Sequence, residues 1–395
     1  MIYFSIALLL GWFSFYFDFL KNRTGRRFFY ILSWAVLVLL AGLRYKVGGD
    51  TYNYIYEFNN FDSFFKTFLT PTNTFHERQP GWYFIVATSK LINSDFTTLQ
   101  IILALIVNTT FFWFIKRRTP YHFTGVFIYY LFFYCYLNFE ILRESLAVCV
   151  FMLSFESLLR RRYKIYYIYV ALALLFHISA IFLIVLPLLF RIATTIFLKH
   201  NGKILLLKIL LIASIIFIAG FLLNSYLQKL LPIFISNDLL QSKIVQYNDY
   251  DFTLFGILSS LFYYVAIPLF FIYKLKHQYR IQQLLSMMVI YVFIGASITF
   301  YSIFFRFLNY LIPLYILVIS EYLLFLYKHN FNFKINLGKV FFAFIFIFII
   351  FTNRYFAKVK DMPSVRWYSH WFPYHSIFDK VEDPNRKKLA EYQFH

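Results

Sequence analysis

Long apolar runs separated by short polar or basic connections set the pattern of this chain. They fall at about 2–20, 28–43, 97–115, 121–138, 143–159, 164–177, 179–197, 203–224, 253–273, 282–302, 307–327 and 338–353. A bilayer is crossed by a helix of about 20 predominantly apolar residues, so these runs predict roughly twelve membrane-spanning helices. The runs IILALIVN at 101–108 and KVFFAFIFIFIIF at 339–351 are continuous rather than alternating, which argues against a membrane β-barrel. A further stretch at 80–93 is short and amphipathic and reads as an interfacial or re-entrant helix, and 164–197 also reads as one broken helix. The start, MIYFSIALLLGWF, lacks a basic leader and a small-residue cleavage site and reads as an uncleaved first span.

Composition sharpens this picture. Of 395 residues, 61% are hydrophobic and 14% charged, against roughly 25% charged in soluble domains. The expected fold class is therefore all-α, a polytopic integral membrane protein forming one transmembrane domain over 1–395. Cys135 and Cys149 both lie in apolar runs, so they indicate neither a disulfide framework nor a zinc site.

The net charge of +20 is a matter of placement. Twenty Lys and Arg residues, with no Asp or Glu among them, occupy six connections, around 21–27, 116–118, 160–164, 199–208, 274–280 and 328–339. These alternate with the other loops. The positive-inside rule then puts all six in the cytoplasm, both termini outside, and the segments 44–96, 225–252 and 354–395 on the external face. The excess charge thus reads as topology rather than as a nucleic-acid surface.

The polar chemistry gathers in those external segments. LRYKVGGDTYNYIYEF, residues 43–58, presents Arg44, Tyr45, Lys46, Asp50, Tyr54 and Glu57 around Gly48 and Gly49. A guanidinium suits bidentate contact with phosphate oxygens, and tyrosines offer flat faces and hydroxyls to sugars. As a helix, the segment would place Asp50, Tyr54 and Glu57 on one face. An interfacial tyrosine belt with a snorkelling arginine fits the same residues.

This R-Y-x-V-G-x-D-x-x-x-Y stretch resembles the EpsG-type, Wzy-like polymerases of bacterial extracellular polysaccharide. Further pieces follow in order: HERQPGW at 76–82, LNFEILRESLAVCVFMLS at 137–154, LLFHISAIFLIVLP at 174–187, RFLNYLIP at 306–313 and FPYHSIF at 372–378. The resemblance implies a GT-C-like helical bundle with external loops in the bacterial cytoplasmic (inner) membrane. It also implies a glycosyltransferase that polymerises O-antigen, capsule or exopolysaccharide from repeat units carried on undecaprenyl pyrophosphate. Lipid-linked donor and acceptor would be its partners, with room for a chain-length regulator. No cofactor, metal or nucleic acid is implied.

Residue by residue, Arg143 leads the fifth run with Ala147, Val150 and Ser154 on one face and reads as a pyrophosphate ligand, or as part of a surface ion network with Glu140 and Glu144. Arg306 and Tyr310, four apart at the start of the eleventh run, fit a second phosphate and sugar contact or a snorkelling arginine. His177 stands in an apolar turn, as a base, a donor, or a structural histidine. Glu77 orients a sugar hydroxyl or pairs with Arg78. Glu156, Arg191 and Glu321 read as structural, and D-Y-D at 249–251 as a solvated acidic loop. Asn108-Thr109-Thr110 matches a glycosylation pattern by chance, inside a run.

The mechanistic expectation is that Arg44, Arg143 and Arg306 neutralise the pyrophosphate while Asp50 or His177 deprotonates the acceptor hydroxyl. Tyr45, Tyr54, Glu77 and Tyr310 would contact sugar. A flippase for lipid-linked oligosaccharide and an acyltransferase that decorates glycans are the alternatives; a flippase would carry mid-span ionisable groups and related halves.

Overall fold

Among the residues that the computed structural model describes, 2–61, 79–199, 202–234, 254–298, 301–328, 333–359 and 362–394, helix makes up most of each apolar run. In chain order the helices are α1 (Ile2–Phe13), α2 (Arg26–Gly42), α3 (Thr51–Asn60), α4 (Pro80–Ile92), α5 (Phe96–Arg118), α6 (His122–Phe132), α7 (Leu142–Leu159) and α8 (Tyr163–Leu174). They continue as α9 (Phe182–Lys199), α10 (Gly202–Phe234), α11 (Leu254–Leu261), α12 (Ile267–Leu275), α13 (Gln282–Ile298), α14 (Phe305–Asn309), α15 (Ile312–Lys328), α16 (Phe333–Thr352) and α17 (Pro384–Phe394). Between α16 and α17 a short antiparallel hairpin pairs β1 (Lys358–Val359) with β2 (Met362–Arg366).

Among the described residues six helical stretches are long and apolar enough to cross a membrane: Ile2–Phe19, Phe96–Arg118, Ile178–Lys199, Gly202–Leu223, Gly256–Leu275 and Tyr279–Ile298. His122–Phe132, Tyr163–Leu174 and Asn336–Ile349 are shorter apolar helices. The chain is thus an all-helical, multi-pass membrane protein.

Local chemistry explains where the runs break. The eleventh run is two helices rather than one, because Pro313 sits in the first turn of α15, where it starts a helix well but its ring excludes the carbonyl four residues back. The stretch 164–197 breaks at Leu175–His177, where the backbone tightens into a 3-10 turn at Ile178–Ile181. The fourth run ends α6 at Phe132 and resumes as a wide turn over Tyr136–Glu140.

The chain packs as two compact units, residues 1–181 with 323–395, and residues 182–322. In the first, α2 lies on α5, α7 lies on both α5 and α8, and α1 lies on α6. A buried polar knot ties α5 to α6: Asn108 Nδ2 donates to Asn138 Oδ1 at 2.9 Å, Asn138 Nδ2 donates to Tyr129 OH at 2.7 Å, and that hydroxyl donates to Asn108 Oδ1 at 3.1 Å. Each partner satisfies another where water is absent, so the asparagine that matched a glycosylation pattern is an interior tie. In the second unit α13 is the buried centre, touched by α9, α10 and α12. There Gly295 lets α13 approach closely, since a Cβ would stand 2.5 Å from the Tyr264 carbonyl oxygen.

The short amphipathic stretch at 80–93 is the helix α4. Its Trp82 and Val86 pack with Tyr54 and Phe58 of α3, Leu99 and Leu103 of α5, and Leu142 and Leu146 of α7. This cluster fixes the connection after α2 against the start of α7, and so positions the candidate site.

Candidate functional site

Two glycines shape the connection that leaves α2. Gly48 has φ +120°, and a Cβ there would stand 2.5 Å from Thr51 Oγ1 and 2.7 Å from the Phe139 carbonyl oxygen. At Gly49 a Cβ would stand 2.6 Å from His370 Nδ1 and 2.8 Å from Glu140 Oε2. Only glycine admits both approaches. The backbone then meets Glu140 closely: Gly49 N donates to Oε1 at 2.9 Å and Asp50 N to Oε2 at 3.1 Å. Trp371 Nε1 donates to Oε1 at 2.5 Å. Burial raises the Glu140 pKa, while those three donors and Arg44 pull it down.

The tail folds onto this connection. Tyr45 N donates to the His375 carbonyl at 2.8 Å, Gly48 N to the His370 carbonyl at 2.9 Å, and Ile377 N to the Leu43 carbonyl at 2.9 Å, with Arg44 and Ser376 bridged as in a sheet. Arg386, fully enclosed, donates to the carbonyls of Ser369 at 3.2 Å, Lys46 at 3.0 Å and Pro373 at 2.5 Å. Glu382 accepts from Lys46 Nζ and from Tyr52 OH, both at 3.0 Å.

Arg44 lies buried at the end of α2. It is 1% exposed, its Nε donates to the Val47 carbonyl at 3.1 Å, its Nη1 donates to the Ala41 carbonyl at 2.5 Å, and its plane lies 4.8 Å over the Phe139 ring. Burial lowers the pKa of this guanidinium to about 10. The group closes the end of α2 by binding carbonyls that the helix leaves unsatisfied. Tyr45 is half-buried, with Lys46 Nζ 5.6 Å over its ring.

Asp50, Tyr54 and Glu57 take the helical spacing expected of them, with Asp50 at the N-cap position of α3. Burial pushes the pKa of the Tyr54 phenol up to about 12, and the charges of Arg143, in the first turn of α7, and of Asp50 and Glu57 all act on it, Arg143 lowering it and the two carboxylates raising it. The Arg143 Nε is buried and has no hydrogen-bond partner among the described residues. One guanidinium therefore stands among a phenol and two carboxylates with donor capacity to spare. His370, unexpected from sequence, faces the same place: burial lowers its pKa from 6.5 to about 4, against the pull of Asp50.

His177 is 8% exposed in the break after α8. Its Nδ1 lies 2.7 Å from Ser179 Oγ, which donates to Glu144 Oε1 at 3.1 Å. Glu144 is the residue after Arg143, so the start of α7 serves both groups. The link is doubled by α4: Trp82 packs on Tyr54 with ring centroids 5.4 Å apart, and Gly81 N donates to the Leu175 carbonyl at 2.7 Å.

Arg306 and Tyr310 belong to the second unit, Arg306 half-buried in α14 and Tyr310 fully buried with its ring 6.5 Å from Phe182. Glu77 and the acidic loop at 249–251 lie outside the described residues. Glu156 is structural as expected, held by Arg118 at 2.6 Å and Arg160 at 2.5 Å.

From sequence, Glu140 and Glu144 read only as ion partners for Arg143, and Ser179, His370 and Trp371 did not stand out. Ser179 had a signal, since a hydroxyl two residues after a histidine makes a local side-chain turn. The tail residues had none, because only folding brings them some 320 positions back along the chain.

Comparison with known proteins adds one match. The family model described as EpsG family matches residues 27–376. No curated protein and no solved structure matches the chain.

Proposed function

Since the chain belongs to the EpsG family, and is thereby a membrane protein of polysaccharide biosynthesis, we propose that it is the polymerase of that process. In this reading it joins oligosaccharide repeat units carried on undecaprenyl pyrophosphate at the outer face of the cytoplasmic membrane. The twelve helical runs are twelve spans of a GT-C-like bundle, both termini are external, and the connection after α2 and the tail face outward.

The observation that carries this reading is Arg143 with its free Nε beside Tyr54, Asp50 and Glu57. Pyrophosphate is a good leaving group, so the enzyme has mainly to hold its charge and align an acceptor hydroxyl with the anomeric carbon. Arg143 neutralises the diphosphate, where a charge-assisted bond contributes about 1.5–3 kcal/mol. Tyr45, Tyr54 and Glu77 contact sugar. Asp50 or His177 removes the acceptor proton. Arg44, sealed at the end of α2 with its Nε and Nη1 on carbonyls, acts on the diphosphate through the shape it gives the connection. No metal takes part.

An apolar cavity of about 300 Å³, with Tyr3, Phe4, Tyr130, Phe348 and Trp371 in its wall, suits the first isoprene units of the carrier. Trp371 joins that cavity to the Glu140 contact of Gly49 and Asp50.

The test is deletion of the gene and restoration with wild type or Arg143→Ala, followed by gel separation of the lipid-linked glycans. Polymerisation predicts a ladder with wild type and single repeat units with the variant. Loss of all outward glycan with internal build-up would instead mean flipping, and an unchanged ladder in the deletion would overturn the proposal.

A further inference from the structure

Two cavities in the first unit are lined by the same three helices. The cavity of about 300 Å³ under the tail takes its wall from α1, α6 and α16, through Tyr3, Tyr130 and Phe348 among others. A second, of about 560 Å³, is lined by Phe15 on the continuation of α1, by Phe127 of α6 and by Phe344 of α16. On each helix the two walls stand about one turn apart. Ala7 lines the first cavity and Gly11 the second, Tyr130 the first and Phe127 the second, Phe348 the first and Phe344 the second. The cavities therefore follow one another as a single groove, with α1 running opposite to α6 and α16. At about 1.5 Å per residue, Tyr3 to Phe19 rises about 24 Å, most of the roughly 30 Å of hydrocarbon in a bilayer.

The wall turns its polar atoms into the protein. Tyr130 OH donates to the Tyr3 carbonyl at 2.9 Å, and Tyr3 OH donates to the Trp371 carbonyl at 3.0 Å. At the other end the Ser14 and Thr124 hydroxyls lie 2.8 Å apart, and Thr124 Oγ1 donates to the buried Asp18 carboxylate at 3.0 Å. Hydrocarbon and ring faces are left along the groove. Its outer end stops at Trp371, which also belongs to the candidate site, since its Nε1 donates to the Glu140 carboxylate that holds the backbone of Gly49 and Asp50. An occupant must thus be apolar, must start beside that site, and must reach from one leaflet into the other. A fatty acyl chain fills one leaflet, about 15 Å or half of the hydrocarbon core. A long polyprenyl chain reaches through both.

We propose that this groove holds the polyprenyl tail of the lipid carrier across both leaflets, threaded between α1, α6 and α16. The inference rests on the polymerase reading above and gives the path of its substrate's tail. Hydrocarbon gains little by leaving lipid for protein, so the groove contributes fit and position rather than hydrophobic transfer. Tail length is then what the inner cavity reads. Gly338 lines that inner cavity, and a Cβ added to it meets nothing within 4 Å. A large side chain there fills the groove without displacing protein, and replacing a glycine inside α16 favours the helix.

The experiment uses full-length protein in nanodiscs of fixed phospholipid composition. The repeat unit is supplied on its native long-chain pyrophosphate, extracted from the deletion strain, and on a synthetic farnesyl pyrophosphate. Elongation is followed against substrate mole fraction for wild type, Gly338→Trp and Gly338→Ala. Wild type should reach half its maximal rate with about tenfold less of the long-chain substrate than of the short one. Gly338→Trp should erase that advantage while leaving the short-chain value within about twofold and the maximal rate little changed, and Gly338→Ala should match wild type. A second readout needs no turnover: benzoylphenylalanine placed at Phe341, in the wall of the inner cavity, is irradiated with long-chain substrate present. The expected adduct carries polyprenyl mass. An adduct with fatty acyl chains alone would overturn the inference and leave polymerisation intact, as would a Gly338→Trp variant that keeps the wild-type preference or shifts both substrates equally. Failure of the wild type to elongate either substrate would instead overturn the function proposed above, and this inference with it.

Discussion

Arg44 and Arg386 are both guanidinium groups wrapped by backbone carbonyls, and each closes a piece of chain that would otherwise end in unsatisfied acceptors. Removing a buried charge-assisted contact costs about 1.5–3 kcal/mol per bond. Arg44→Ala is therefore expected to lower the thermal stability of the detergent-solubilised protein by several degrees, or to reduce its amount in the membrane. A variant of normal stability that has lost polymer would return Arg44 to the diphosphate. Arg143→Ala is expected to lower the rate about ten- to hundredfold in a protein that still folds. Circular dichroism melts beside glycan ladders separate the two outcomes. In the sequence Arg44 and Arg143 are alike, each beginning or ending an apolar run. Burial divides them, and burial of a particular side chain depends on what folds over it.

At the scale of elements, the tail and the connection after α2 form one piece. The hairpin β1–β2 and α17 share a small core of Val359, Val365 and Leu389, with Met362 and Trp367 packed against it. Carbonyls of the tail accept from Tyr45 and Gly48, and Glu140 clamps Gly49, Asp50 and Trp371 together. His370 sits at the seam, 6% exposed, with its pKa lowered from 6.5 to about 4 by burial; Arg386 lowers it further and Asp50 raises it. An unfolded tail would bind a proton below about pH 6.5 that the docked tail refuses, so docking is stable above that pH and weakens as pH falls toward 4. The loss approaches about 3 kcal/mol at the acid end, since a tenfold change in proton affinity is worth about 1.4 kcal/mol. Limited proteolysis of membranes should cut the tail faster at pH 5 than at pH 7.5, roughly tenfold or more. His370→Gln should flatten that dependence, and an equal pH response in the variant would assign it to another group. The helices themselves were legible from hydrophobic periodicity and length. The docking was not, because backbone hydrogen bonds across more than three hundred residues leave no local pattern.

For the whole molecule, the strongest statement concerns charge. Six connections hold an unbroken excess of Lys and Arg equal to the net +20, and they alternate with the other loops, the rest of the chain carrying 18 charges of each sign. Reporter fusions after Arg118, Arg162 and Arg280 should report cytoplasm, and fusions after Asn60 and at the C-terminus should report the outside. A reporter that inverts from residue 93 onward would mean that α4 crosses the bilayer, and would put Arg143 and His177 on opposite sides from those proposed. The apolar runs, the helical class and the family resemblance were set by the sequence alone, because a bilayer demands internally satisfied backbone over some 20 residues and that demand is written locally. That Arg44 is sealed at the end of α2, that Glu144 reaches His177 through Ser179, and that the tail closes over Gly48 and Gly49 were decided only by tertiary packing. Those facts depend on distances between residues remote in sequence, and desolvation acts on a side chain according to its surroundings rather than its type.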